Sequence, residues 1–160
     1  MQIHISVKQK SIAIDRRRLR TAAKSILSAL GYTEAELSIA IVDDDQIAGL
    51  NRDYRQVEGP TDVLAFAMHD GEFGEVCSEL LGDVVISAQT AEIMAAEHQC
   101  RFTAVLDLLL THAILHLVGF DHERSPVDAR GMDEKTLQLL GFLGHSPEVF
   151  GWYQTAGSAK

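Results

Sequence analysis

Three histidines stand within eleven residues in the stretch THAILHLVGFDH, residues 111–122. His112 and His116 are four positions apart, so an α-helix would place both imidazoles on one face, one turn apart. Gly119 favours a helix end, because glycine adopts the left-handed conformation that a C-cap needs. A chain that turns at this glycine can bring His122 back toward the other two rings. Three neutral imidazoles with an open fourth position are the ligand set of a catalytic zinc site.

The spacing matches the zinc-protease pattern H-E-x-x-H-x-x-G-x-x-H. Position 113 is alanine, where that pattern has the glutamate that serves as the general base. The stretch therefore predicts one zinc ion without the base of a metallopeptidase, and another transition metal would suit the same three nitrogens. The alternative, three structural histidines on a buried helix, leaves unpaired imidazoles in an apolar setting, and that costs free energy.

Composition restricts the class of protein. A chain of 160 residues with 46% hydrophobic residues is expected to form one globular domain with its own core. The start, MQIHISVKQK, lacks the apolar run of a signal peptide. The most apolar stretch, from Ala104 to Val118, contains ionisable residues and is too short to span a bilayer. We therefore expect a cytoplasmic protein with no membrane partner.

Two other features of the composition bear on partners and redox state. The formal net charge is −9, but residues 1–55 hold nine Lys or Arg against seven Asp or Glu, and the remainder hold five against sixteen. This distribution allows a small basic cleft and argues against a broad nucleic-acid-binding surface, so no DNA partner is expected. Cys77 and Cys100 form no CxxC pair, and reduced thiols are the expectation.

The order of apolar patterns predicts an α+β domain over residues 1–145. Four strands and several helices follow one another without a regular βαβ alternation, which favours a small mixed sheet packed with helices. The three-histidine site is expected in a cleft of this domain. Residues 146–160 are expected to be a poorly ordered tail. Strands are predicted at 3–7, 37–42, 63–66 and 80–86, a surface loop at 69–79, and helices at 16–30, 44–54, 88–98, 101–118 and 128–140.

The run HAILHLVGFDH resembles the signature H-G-x-L-H-L-x-G-y-D-H of the YbeY family, with Ala113 in the place of a glycine. A second stretch, residues 50–66, is similar to the family's L-N-x-x-Y-R-x-x-D-x-P-T-D-V-L-S-F, with Glu58 and Ala65 as departures. The run LLGDVVI, residues 80–86, is similar to L-G-D-I-v-I-S. The histidine signature is the most specific of the three.

The YbeY family consists of bacterial metal-dependent endoribonucleases that act in ribosomal RNA maturation. The resemblance implies a single domain in which His112, His116 and His122 hold the metal. It implies hydrolysis of single-stranded RNA, in maturation of the 3′ end of small-subunit ribosomal RNA and in ribosome quality control. The small ribosomal subunit or assembly factors would be partners. The arginine of the second signature is functional in the family and falls on Arg55, which from its position alone is a cation at a helix end.

Two other hypotheses stay open. A zinc peptidase would have to draw its base from elsewhere, for example from Glu123. A non-catalytic, metal-stabilised ribosome-assembly factor would bind RNA without cutting it. No residue can be assigned from the sequence as the general base of an endoribonuclease.

Overall fold

A computed structural model describes residues 1–68 and 80–153 of the chain. The predicted surface loop at 69–79, which includes Cys77, lies outside these residues. The elements are β1 (Gln2–Val7), α1 (Arg16–Ala29), β2 (Glu36–Val42), α2 (Asp44–Arg55), β3 (Val63–Ala67), β4 (Leu80–Ser87), α3 (Ala88–Glu97), α4 (Phe102–Leu117), α5 (Pro126–Phe142) and a 3-10 turn (Pro147–Phe150).

The four strands form one mixed sheet in the order β1-β2-β4-β3. β1 and β2 are parallel, β2 and β4 are parallel, and β3 runs antiparallel to β4 at the edge of the sheet. This arrangement confirms the predicted α+β class with a small mixed sheet in a single domain. β3 at the edge leaves its start, near Asp62, free to border a cleft.

Side-chain caps explain where the helices begin. Asp43 accepts a hydrogen bond from the backbone N–H of Gln46, whose side chain in turn accepts from the N–H of Asp43. These two reciprocal bonds form a capping box, which stabilises the start of α2. Ser125 caps α5, and Pro126 suits its first position, so this helix begins two residues before the predicted Asp128.

The main core lies between one face of the sheet and helices α1, α3, α4 and α5. A smaller cluster on the opposite face packs α2 against the sheet through Val42, Ile47, Leu64 and Val85. α4 is at the centre of the main core, because twelve of its sixteen residues are buried. The helix that carries two of the histidines is therefore held by sheet and helices together.

Gly82 shows how closely the two antiparallel strands approach. Its φ is 139°, and a Cβ at this position would collide with the carbonyl oxygen of Phe66 on β3. Glycine is therefore required in this strand for steric reasons, even though it usually weakens a strand.

The prediction of a poorly ordered tail from residue 146 was wrong for residues 146–153. Pro147–Phe150 form a 3-10 turn, and the Phe150 side chain is buried against Ala104, Leu108 and Leu140. Aromatic residues in this segment bury apolar surface, which offsets the entropy of ordering the chain. Residues 154–160 lie outside the described part.

No single helix in residues 1–68 and 80–153 is both long and apolar enough to cross a membrane. In this part of the chain, only α3 and α4 taken together have the length and apolar composition of a membrane span, and their axes bend by 118° at the junction. Cys100, which lies between them, is a free thiol, and burial raises its pKa.

Candidate metal centre

The end of α4 turns the chain so that the third histidine meets the first two. Gly119 has a φ of 108°, its N–H donates to the carbonyl of His116 at 3.1 Å, and the N–H of Phe120 donates to the carbonyl of Leu115 at 2.9 Å. These two bonds form a Schellman motif, as the glycine predicted. His122 follows in the loop between α4 and α5.

The structure brings all three predicted histidines together. Each of His112, His116 and His122 offers a ring nitrogen, and the three nitrogens lie within 4.8 Å of one another. The Nε2 atoms of His112 and His116 are 3.1 Å apart. A tetrahedral zinc ion with Zn–N bonds of about 2.0–2.1 Å has ligand nitrogens roughly 3.3 Å apart. The spacing of His112 and His116 is close to that value.

Two properties of these side chains fit a metal ion. The Nδ1 atom of His122 is buried and has no hydrogen-bond partner among the described residues. Burial, and then the neighbouring His116 and His122, lower the pKa of His112 from 6.5 to about 3. Burial and His122 also lower the pKa of His116. Both rings are therefore neutral near pH 7, in the protonation state that binds metal.

The histidines line a cleft of about 610 Å³ together with Arg55, the start of β3 and the loop after α4. Arg55 is the last residue of α2 and is exposed, and its side chain makes no ion pair or hydrogen bond to any residue in 1–68 or 80–153. The structure thus places the predicted arginine on the same cleft as the three histidines, with its guanidinium available to a ligand.

A second arginine of the cleft, Arg124, is already engaged. Its Nε lies 3.7 Å from Asp121 and 3.6 Å from Asp128, and its guanidinium also donates to the carbonyl of Gly119 at 3.3 Å. Its positive charge is therefore offset by two carboxylates, and Arg55 is the cation of the cleft best placed to meet an anion.

Asp62 is a cleft residue that was not predicted from the sequence. Its Oδ1 accepts from the backbone N–H of Val63 at 2.8 Å and from the Thr61 hydroxyl at 3.3 Å. Burial raises the pKa of this carboxyl despite these hydrogen bonds. Its place in the PTDVLAF stretch was the only available signal, because no motif spacing links β3 to the histidines.

Tyr153 is the second residue that was missed, since it belongs to the segment predicted to be poorly ordered. Its hydroxyl lies 2.8 Å from Nδ1 of His112. Burial raises the pKa of this phenol, and the nearby Asp133 adds to the effect. Nothing in the local sequence around position 153 indicates a contact with a residue 41 positions earlier.

Comparisons with known proteins agree with the motifs. A family model described as Endoribonuclease YbeY matches residues 4–144. The chain is 44% identical over 144 residues to "Endoribonuclease YbeY" of Geobacter sulfurreducens, covering 89% of this chain and 96% of the relative. It is 50% identical over 147 residues to the protein of the same name from Anaeromyxobacter dehalogenans, covering 90% of this chain and 74% of the relative.

A solved structure has the same fold. The solution structure of TM1509 from Thermotoga maritima superposes with a TM-score of 0.60 at 23% sequence identity, covering 99% of this chain and 96% of the other. At this identity the likeness supports the fold alone.

Proposed function

The chain belongs to the Endoribonuclease YbeY family, and from this premise we propose that it is a metal-dependent endoribonuclease that hydrolyses single-stranded RNA. The observation that carries the proposal is the shared cleft: three imidazoles and an arginine without an ion-pair partner among the described residues line one open space. Hydrolysis of a phosphodiester is promoted by an electrophilic centre that polarises a phosphoryl oxygen and by a cation that stabilises the negative charge of the phosphate.

His112, His116 and His122 would hold the metal ion, and zinc suits their three nitrogens with a fourth position left open. When bound, such an ion supplies an electrophilic centre that acidifies water and polarises a phosphoryl oxygen. Another first-row transition metal would bind the same donors, because affinity alone does not select among them.

Arg55 would bind the scissile phosphate. Its planar guanidinium donates two parallel hydrogen bonds to phosphate oxygens and spreads its charge over them. The lack of an ion-pair partner among the described residues supports this role, since no carboxylate has to be displaced first.

Asp62 would accept the proton of the attacking water. A general base works best when its pKa is close to the operating pH, and burial moves the pKa of this carboxyl upward from 3.8. Glu123 lines the same cleft but is exposed, so Asp62 is the better candidate.

The peptidase hypothesis has less support. Position 113, where zinc peptidases carry their glutamate, is a buried alanine with 1% of its surface exposed. The cleft instead offers a free guanidinium, which suits a phosphate better than a peptide carbonyl.

The substrate would be ribosomal RNA in its single-stranded regions. The family resemblance motivates this choice, together with roles in maturation of the 3′ end of small-subunit ribosomal RNA and in ribosome quality control. It also motivates contacts with the small subunit or its assembly factors, and a cytoplasmic location. An acidic chain of net charge −9 would make few phosphate contacts, centred on Arg55.

The test is cleavage of a labelled single-stranded RNA by zinc-loaded protein, with a duplex of the same sequence as the second substrate. The expected result is cleavage of the single strand, slower cleavage of the duplex and no cleavage by His112→Ala. RNA binding without cleavage by the zinc-loaded wild type would reject the nuclease proposal and favour the assembly-factor hypothesis.

A further inference from the structure

The C-terminal segment, residues 145–153, is fastened to the helix that carries the histidines. Nε2 of His145 lies 2.6 Å from Oδ2 of Asp107 on α4, an oxygen that also accepts from Arg18. Phe150 is 2% exposed. The Trp152 indole stacks on the His98 ring, with centroids 3.9 Å apart and planes 7° from parallel. These contacts hold the residue that follows in a defined place.

That residue is Tyr153, and its hydroxyl is 2.8 Å from Nδ1 of His112. The other nitrogen of the same ring, Nε2, faces His116 across 3.1 Å. The ring is thus held on one side by the phenol, and its opposite side faces the histidine cluster. A metal in the cluster would bind Nε2, which requires the ring proton to be on Nδ1.

The phenol is a suitable partner for a metal-binding ring. Its oxygen, 2.8 Å from Nδ1 of His112, can accept a proton from that nitrogen. When Nδ1 carries the ring proton, Nε2 keeps the lone pair that a metal ion needs.

We propose that Tyr153 is a positioning residue, which fixes the tautomer and ring orientation of His112 so that Nε2 is available to the metal. This inference rests on the proposed metal site. Partners of this kind around a metal-bound histidine fix its tautomer and raise its basicity, and their loss weakens metal binding by roughly 10–100-fold. Tyr153 lies beyond residues 4–144, so the part of the chain that matches the family model does not supply it.

The test compares Tyr153→Phe with wild type and with Tyr54→Phe. The phenylalanine keeps the ring and removes only the hydroxyl. Tyr54 is 66% exposed on α2, where its ring packs against Phe66, and it serves as the matched control. Zinc(II) affinity is measured by competition with a chromogenic chelator. We expect the dissociation constant to rise by about tenfold or more in Tyr153→Phe and to be unchanged in Tyr54→Phe.

A second measurement uses the metal-free proteins, in which ¹⁵N–¹H correlation spectra report which ring nitrogen of His112 carries the proton. We expect Nδ1–H in wild type and a shift toward Nε2–H in Tyr153→Phe. Equal zinc affinity in the two proteins would overturn the inference, and so would a weaker affinity with the wild-type tautomer retained. If wild type itself bound no zinc, the proposed metal site would fail together with the inference.

Discussion

The Nε2 atoms of His112 and His116 lie 3.1 Å apart on adjacent turns of α4, close enough for both to bind one ion. In His116→Ala only two of the three imidazoles remain, so we expect the purified protein to lose most of its metal. Elemental analysis of wild type and variant measures this, with about one zinc per chain expected in wild type. His4→Ala, which changes an exposed histidine paired with Glu36, should keep its metal. Equal metal in wild type and His116→Ala would contradict the assignment.

Arg55 should matter for catalysis and little for folding. Arg55→Lys keeps the charge but loses the planar fork, and Arg55→Ala loses both. We expect RNA cleavage to fall roughly a hundredfold or more in both variants, with zinc content and melting temperature close to wild type. Arg52→Ala, in the last turn of the same helix and paired with Asp53, is the control and should cleave normally. Unimpaired cleavage by Arg55→Ala would remove Arg55 from the mechanism.

Asp62→Asn tests the proton acceptor. Asparagine keeps an oxygen that can accept from the N–H of Val63 but cannot take up a proton at neutral pH. We expect kcat to fall by about 10²–10⁴ while zinc binding is retained. Burial raises the pKa of Asp62, so the ionised carboxylate opposes folding above pH 3.8. The Asp62→Asn protein, which has a neutral amide there, should therefore be at least as stable as wild type at pH 7. A wild-type rate in Asp62→Asn would rule out this base, and Glu123→Gln would be examined next.

The stability of the metal-free protein should depend on pH through His112. Its pKa is about 3 when folded against an ordinary value of 6.5, so between these values the unfolded state binds more protons. The free energy of unfolding must therefore fall as the pH decreases from 6.5, and be unaffected by this group above it. Urea unfolding in the presence of a chelator measures this for wild type and His112→Gln. All other groups titrate in both proteins, so the difference between their free energies of unfolding isolates the contribution of His112. The difference between the two proteins should shift in favour of His112→Gln as the pH falls, and a constant difference would contradict the lowered pKa.

Local patterns were sufficient for much of the fold and for the three-histidine cluster. The cluster depends on a helical spacing of four and on a glycine at the helix end, and both are local properties of the stretch from His112 to His122. The elements were predicted for the same reason, since the apolar period that indicates a helix or a strand lies within the element itself. The position of β4 between β2 and β3 is a non-local pairing that no short pattern determines.

The residues that were missed depend on tertiary contacts. Asp62 comes to the histidines because β3 packs at the sheet edge beside α4. Tyr153 comes to His112 because the rings of Phe150 and Trp152 pack against the rest of the domain. This packing stabilises a segment that was predicted to be poorly ordered. The functional role of Arg55 could be predicted only from the family signature, because its position at a helix end already accounts for a cation there.

The burial of α4 has a kinetic consequence for a metal ion held by the three histidines, as we propose. Amide protons in its interior should exchange with solvent only through openings close to global unfolding, because the helix is packed on nearly every side. His112 and His116 share that protection, whereas His122 stands past Gly119 in a loop whose next residues, Glu123 and Arg124, are exposed. Release of the ion should therefore begin with detachment of His122, at a rate set by local opening of this loop. The two helical ligands would remain in place to recapture the ion.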